Sequence, residues 1–389
     1  VQSGGAIRSA GEPETASHLA AAIAAGDGAP ADDLTHGFHT YPARMHPVLA
    51  REVIGGLARP GDVVIDPFCG GGTVLVEALV AGCRPYGVDL NPLALRIAEV
   101  RCALRDGPAR ARFERTLHGV AAGSIERVRS RARPRFALPR SERAYYEPHV
   151  LLELAGLFDE VGEVAAEADR RALMIVFSAL LVKFSRQRAD TSDELVLKRI
   201  RKGLVSEFFV RKGEELALRW QALFESAPKG AFAAELRCGD ARRLGTLVGE
   251  RVRADLILSS PPYGGTYDYA HQHARRNAWF GLDAARWEAE EIGARRRSTG
   301  SAPAAPRWDS EMLAVLRALR SVLRDTGCVV LWLGDAELDG ARIAADDQIA
   351  RLAPQAGFTL TASARQERRD ARAGLPRGEH LLLLEPLAR

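Results

Sequence analysis

One short stretch constrains the fold of this chain more than any other. Asp62-Val63-Val64-Ile65-Asp66, apolar and β-branched, stops at Pro67-Phe68-Cys69-Gly70-Gly71-Gly72-Thr73. A run this short, ended by a glycine cluster, is the pattern of a strand buried in a parallel sheet. Helical spacing from Thr73 to Val80 follows, Gly82 ends that helix, and Pro85-Tyr86-Gly87-Val88-Asp89 supplies a second strand. Asn91-Pro92 then opens a helix running to about Arg105, with Asn at the cap and Pro in the first turn. Strand, helix, strand, helix predicts a doubly wound α/β sheet. Upstream, Pro42 to Leu57 has apolar residues at helical intervals, and Arg59-Pro60-Gly61 turns the chain into the first strand.

The alternation then stops. Residues 105–230 hold long amphipathic segments, Leu151–Ala166, Arg171–Phe184 and Glu194–Phe224, with few strand signals. Strands resume at Ala234–Cys238, Ala254–Ser259 and Cys328–Leu333, with a helix near Ser310–Leu323 before the last. Phe358–Ser363 and His380–Glu385 flank a basic turn and predict a terminal hairpin. The expectation is a seven-stranded sheet with a terminal antiparallel hairpin and a helical insert between the second and third strands. The core would comprise residues 35–105 and 231–389, and the insert 106–230. Residues 1–34, rich in Ala and Gly, are expected to form a mobile leader without a signal-peptide layout. No apolar run approaches the ~20 residues of a membrane span. Five scattered cysteines show no CxxC spacing, which favours reduced thiols and a cytoplasmic protein over a zinc site or disulfide framework. With 54 Lys and Arg against 50 Asp and Glu, the net charge of +4 permits a polyanionic partner without demanding one.

Open α/β sheets bind ligands beyond the carboxyl ends of their strands, so the residues there are the candidates. The glycines let the backbone approach a ligand and aim helix N-terminal amides at it. The loop does not fit GxGxxG and lacks the lysine of a phosphate-binding loop, which disfavours a dinucleotide or a nucleoside triphosphate. Asp89 is placed to accept both hydroxyls of a ribose; capping the next helix is a task Asn91 fills better. Asp240 suits an adenine amino group and helix capping about equally. Ser260-Pro261-Pro262-Tyr263 directly after a buried strand is the most specific element. The prolines fix an extended backbone and donate no hydrogen bonds, so the neighbouring carbonyls and the Ser260 hydroxyl form an acceptor-rich corner. Tyr263 adds a flat face for stacking. Such a corner suits an exocyclic amino group on a planar heterocycle.

DPFCGGGT, a following strand ending in Asp89, and a later SPPY resemble the S-adenosylmethionine-dependent amino-methyltransferases of DNA, of the N4-cytosine/N6-adenine type. FHTYPARMHP is similar to the segment that helps close the cofactor pocket in that family. The likeness runs from about His36 to Leu104 and from Cys238 to the C-terminus. It implies a Rossmann-like class I methyltransferase fold with S-adenosyl-L-methionine as cofactor. Tyr41, Pro42, Asp66, Phe68, Gly70, Gly71, Gly72 and Thr73 would then surround the cofactor, with Asp89 on its ribose and Asp240 on its adenine. Ser260, Pro261, Pro262 and Tyr263 would be catalytic. Here the glycine loop precedes SPPY, whereas in many members SPPY comes first. The insert is placed differently too, and its assignment to target recognition rests on elimination.

The implied partner is DNA, with N4 of cytosine slightly favoured over N6 of adenine because Ser precedes PPY. A base amino group in RNA is the alternative, and a non-catalytic nucleic-acid-binding module is a third reading, opposed by the acceptor corner and Asp89. A duplex base must be flipped to reach the corner. Tyr267, Tyr269, His271, Arg275 and Arg276 follow the corner closely and are the leading substrate contacts. Further basic runs, Arg127–Arg143, Lys198–Lys202 and Arg295–Arg297, suit phosphates or simply a solvated face. Lys183–Gln187 is either a pocket lining or a helix end. His36, His39 and His46 lack acidic or thiol companions at ligand spacing, so no metal is assigned.

Overall fold

A computed structural model gives the fold for residues 4–41, 44–189, 192, 194–265, 272–293, 304–369 and 376–387. The chain begins with β1 (Ile7–Gly11), α1 (Pro13–Gly26) and α2 (Pro47–Leu57). Next come β2 (Val63–Asp66), α3 (Thr73–Val80), β3 (Arg84–Asp89) and α4 (Pro92–Arg101). A helical stretch follows: α5 (Gly107–Arg129), α6 (Arg140–Arg143), α7 (Pro148–Gly162), α8 (Glu167–Phe184) and α9 (Leu204–Ser226). The chain re-enters the sheet through β4 (Glu235–Cys238), α10 (Leu244–Val248) and β5 (Ala254–Ser259). Helices α11 (Ala274–Phe280), α12 (Ala285–Glu288) and α13 (Ala304–Val322) lead to β6 (Leu323–Gly334). The small pair β7 (Ala336–Leu338) and β8 (Ala341–Ile343), α14 (Ala345–Leu352), β9 (Phe358–Arg369) and β10 (Pro376–Pro386) complete it.

The main sheet has eight strands in the order β1-β9-β10-β6-β5-β2-β3-β4. Strands β6, β5, β2, β3 and β4 pair in parallel, and β10, β9 and β1 add antiparallel to them. This is a doubly wound, Rossmann-like sheet ending in an antiparallel hairpin, as the sequence predicts. Side chains alternate between its faces with the period of two that strands impose. Ile65, Ile257, Val329 and Leu331 pack toward α13 and α14, while Val64, Leu256, Leu258 and Val330 pack toward α1 and α2. On each flank the apolar layer is shut off from water, so the strands read as continuous apolar runs.

The N-terminal expectation is corrected. Within residues 1–34, Ile7–Gly11 forms the eighth strand, paired with β9, and α1 buries Ala16, Leu19, Ala22 and Ile23. The strand is exposed beyond Ile7, so it carries no hydrophobic alternation. The helix buries only two large apolar side chains, Leu19 and Ile23, and gives a correspondingly weak apolar signal. Helix starts also move, and the helix expected near Ser310 begins at Ala304. The helix expected from Pro42 begins at Pro47, where the His46 ring accepts from the Val48 amide. The helix expected from Glu194 begins at Leu204, behind Gly203 at φ +83. Residues 194–203 instead run back over the end of α8, where the Lys198 ammonium donates to the carbonyls of Val182, Lys183 and Gln187.

Helices α5, α7, α8 and α9 share one apolar core with α4, Phe38 and Tyr41. Trp220 lies at its centre, fully buried, its indole N–H donating to the Val100 carbonyl at 2.7 Å. Among the described residues, no helix is long and apolar enough to cross a membrane.

Candidate active site

The sheet's winding reverses between β2 and β5, and that opens a crevice at their carboxyl ends. Asp66 ends β2 and Ser259 ends β5; the Ser259 hydroxyl donates to Asp66 Oδ1 at 2.6 Å across the reversal. The Phe68 amide donates to the same oxygen at 3.1 Å. Burial outweighs these bonds and pushes the Asp66 carboxyl up to about 7.

Beyond Asp66 the chain must turn sharply into α3. Gly70 at φ +48 and Gly72 at φ +82 adopt the left-handed conformation that the turn requires. A Cβ on Gly70 would stand 2.9 Å from the Tyr41 ring, and one on Gly72 would stand 3.0 Å from Ala98 Cβ. The bend places the Gly70 amide 2.9 Å from Asp89 Oδ2, while Asp89 Oδ1 accepts from the Asn91 amide at 2.8 Å. One carboxylate at the end of β3 thus fastens the glycine loop to the start of α4. Desolvation pushes Asp89 up to about 6 despite those amides. Asn91 caps α4 through Leu93, so Asp89 is not needed for that task.

An open cleft of about 940 Å³, mouth included, runs along this rim. Tyr41, Asp66, Phe68, Gly70, Gly71, Thr73, Asp89, Asp240, Ser260 and Pro262 all line it. Two strand-end loops far apart in sequence therefore face the same space. Gly72 stands at the N-cap of α3, and Pro261 is buried behind the corner. Asp240 caps the turn that follows it and also faces the cleft. It accepts from the Arg242 amide at 2.9 Å while pairing with the Arg242 guanidinium at 2.6 Å. Tyr263 belongs to a neighbouring cavity, which shares Arg44, Met45 and Ser260 with the cleft. Its ring lies below the Arg377 guanidinium, 5.1 Å from the ring centre.

Several contributors were not legible as site residues. Trp287, Glu290 and Ile292 close the cleft near Asp240, and Arg44 and Met45 stand between the two cavities. Arg101 touches neither, yet it holds the rim together. Fully buried, its guanidinium donates to the carbonyls of Phe38 at 2.9 Å, Gly71 at 3.0 Å, His36 at 3.2 Å and His39 at 2.5 Å. Burial lowers it to about 9, so it remains charged near neutrality. A signal for it existed: Arg101 continues the buried face Ala94, Ile97, Ala98 at helical spacing, where an arginine is out of place unless its donors are met.

The basic residues behave differently from expectation. Arg275 and Arg276, expected to meet substrate phosphates, turn into the molecule. Arg276 is 2% exposed, and Arg275 pairs with Glu142 at 3.1 Å and lies 3.5 Å from the Tyr145 ring centre. Both guanidiniums are thus turned largely inward, Arg276 fully and Arg275 in part. Within 127–143, Arg127 bonds Glu160 and Arg135 bonds Glu163. Lys183 sits over Phe208, and Ser185 to Gln187 form the end of α8 and the turn beyond it. The three histidines diverge: His36 meets Glu77 at 2.7 Å, His39 meets Ser178 at 2.9 Å, and His46 caps α2. Pro42, Tyr267, Tyr269, His271 and Arg295–Arg297 lie outside the described residues.

The glycine loop, its carboxylate and the strand ahead of it fall within one region that known proteins share. Residues 25–100 match the DNA methylase family. The resemblance read from DPFCGGGT and Asp89 is thereby borne out over this segment. Among curated proteins similar to this chain, the Type II methyltransferase M.MvaI of Kocuria varians is 42% identical over 72 residues, 18% of this chain and 16% of its own length. Type II methyltransferase M.MjaII of Methanocaldococcus jannaschii is 38% identical over 66 residues, 17% of this chain and 12% of its own. A tRNA (guanine(10)-N2)-dimethyltransferase of Methanothermobacter thermautotrophicus is 42% identical over 52 residues, 13% of this chain and 16% of its own. The chain thus matches under one-fifth of the length of each of these relatives.

Proposed function

We propose that this chain is an S-adenosylmethionine-dependent methyltransferase of an exocyclic amino group on a nucleic-acid base, with DNA as the substrate and N4 of cytosine ahead of N6 of adenine. The observation that carries the reading is the shared cleft: the Gly70–Asp89 fastening on one side, Ser260 and Pro262 on the other. The residues present fit the cofactor. Asp89 offers carboxylate lone pairs for ribose hydroxyls, and Asp66 and Asp89 make the cleft favourable to a sulfonium cation. Phe68 and Ile292 supply apolar wall, and the turn at Gly70 leaves no room for a side chain between Tyr41 and the loop. Bound there, S-adenosylmethionine would supply an electrophilic methyl group.

The protein's own work is positioning. A base amino group donates its lone pair to the ring and is a weak nucleophile. The Ser260 hydroxyl and the carbonyl at Pro261 would accept its hydrogens and favour a pyramidal nitrogen, freeing the lone pair. Held in line with the donor cleft, that nitrogen would be placed to take the methyl as its bond to the donor sulfur breaks, leaving a neutral thioether, and the amino proton would pass to water. Rate comes from orientation and fixed acceptor dipoles. Covalent attack on the base is not needed, and no Pro-Cys pair exists in the chain to perform it. Tyr263 would stack on the extruded base. The helical layer from Gly107 to Ser226 is our candidate for gripping the nucleic acid, and crosslinking tests it.

The match to a tRNA guanine methyltransferase favours RNA as the second reading. One experiment separates them. The protein is incubated with labelled S-adenosylmethionine and genomic DNA or total RNA, which is then digested to nucleosides. Label in N4-methylcytosine is expected. Label in N6-methyladenine or in an RNA nucleoside would replace the substrate assignment, and no label anywhere would end the methyltransferase reading.

A further inference from the structure

The cavity beside the cleft has polar groups that the methyl-transfer reading has not used. Its walls include Ser260, Tyr263, Trp332, Arg368 and Glu379, and Arg44 separates it from the donor side. Trp332 points from β6 toward α1 and α2, and Arg368 stands at the end of β9 with its guanidinium 5.7 Å from the Trp332 ring centre. Among the described residues, Nε is the atom of that guanidinium with polar partners, donating to Gln366 Oε1 at 3.0 Å and facing Glu379 Oε2 at 3.3 Å. Both terminal nitrogens of Arg368 have no hydrogen-bond partner among the described residues. Glu379 is mostly enclosed, with a side chain 22% exposed, and it fixes the position of the charge beside it.

A planar fork with two free parallel donors matches two acceptors side by side on a flat ring. The bases differ in what they present next to the amino group that the Ser260 corner would hold. Cytosine presents N3 and then O2, both acceptors. Adenine presents N1 and then a C–H. Guanine, entering by its N2 amino group, presents the N1 proton, which a guanidinium repels. Only cytosine satisfies both donors. We infer that Arg368, held by Glu379, is the specificity-determining residue of the acceptor pocket and reads N3 and O2 of a flipped cytosine whose N4 faces Ser260.

This inference rests on the methyltransferase reading and deepens it. The test uses the full chain and the recognition sequence found by the labelling experiment. Wild-type protein and Arg368→Gln are compared on duplexes carrying cytosine or 3-deazacytosine at the target. Losing a bidentate contact should lower kcat/KM of Arg368→Gln on cytosine about 10- to 100-fold. The wild type should lose a similar factor on 3-deazacytosine, and Arg368→Gln should lose little more. Affinity for S-adenosylhomocysteine should stay at the wild-type value, because the donor cleft is built from other strands. Equal loss on the analogue by both proteins would overturn the assignment of Arg368, as would wild-type label in adenine or guanine. If Arg368→Gln does not fold, the wild-type ratio between cytosine and 3-deazacytosine decides alone, and a ratio near one overturns the inference. Donor binding without transfer to any base would overturn the methyltransferase reading itself.

Discussion

The cleft rim and the helical layer are built on opposite plans. At the rim, small residues and short loops leave polar groups facing open space, and carboxylates are held where burial disfavours their charge. Asp66 and Asp89 are both pushed up, to about 7 and about 6. In the helical layer, large apolar side chains fill the interior and many of the charges are paired. Asp169 accepts from Arg105 and Arg112, and Glu153 accepts from the amides of Gly203 and Val205. Polar groups at the rim brace the loops and also face the cleft, while those in the layer serve only to hold it together. The contrast teaches that an arginine run in the sequence is weak evidence for a phosphate contact, because a helical layer can consume it internally.

Substitutions can break or sharpen that contrast. The largest effect should come from the layer's centre. Trp220→Ala removes an indole packed 4.9 Å from the Phe113 ring and its bond to Val100, and should cost about 3–5 kcal/mol in chemical denaturation. At the rim, Asp89→Ala should weaken donor binding about 30-fold by calorimetry, since it removes a charged acceptor and releases the Gly70 and Asn91 amides. Tyr263→Ala should lower turnover about 10-fold with donor affinity near wild type, the converse of Asp89→Ala. Full turnover in Tyr263→Ala would remove its stacking role.

Smaller effects should follow pH. Asp66 titrates near 7 in the folded protein against an ordinary 3.8, and Asp89 near 6. The native state therefore holds protons that the unfolded chain has released, and stability of the free protein should fall as pH rises from about 4 to about 7. Donor binding has the opposite sign, because ribose hydroxyls and a sulfonium favour the ionised carboxylates. Affinity should rise several-fold between pH 5.5 and pH 8, with proton release measurable by calorimetry in buffers of different ionisation enthalpy. The smallest effect is expected at the layer's surface, where Arg201 pairs with Glu207 in solvent. Arg201→Ala should leave Tm unchanged.

How much was legible depends on whether a residue's signal is local. The strand ending at Asp66 and the loop through Gly72 announce themselves because a buried parallel strand and a sharp turn restrict composition within a dozen residues. Asp89 and Ser260 follow from counting strand ends. β1 was invisible because it lies at a sheet edge with nothing but Ile7 half-buried, so backbone pairing to β9 alone defines it. Arg275 and Arg276 looked available because burial by a distant helix leaves no mark on neighbouring residues. Arg101 carried a local signal, a charge on an apolar helix face, whose meaning depends on carbonyls more than 60 positions away.

By itself the sequence determined the strand order's raw material: which runs are strands, where each ends, and which polar residues stand at those ends. Periodicity and turn chemistry act over a few bonds, so they are written where they operate. Only the tertiary structure decided that Asp66 meets Ser259, that Gly70 and Ser260 share one cleft, and that Arg368 stands beside Trp332 with donors to spare. Those are meetings of residues far apart along the chain, and they exist because burying both faces of the sheet brings its strand ends to a common rim.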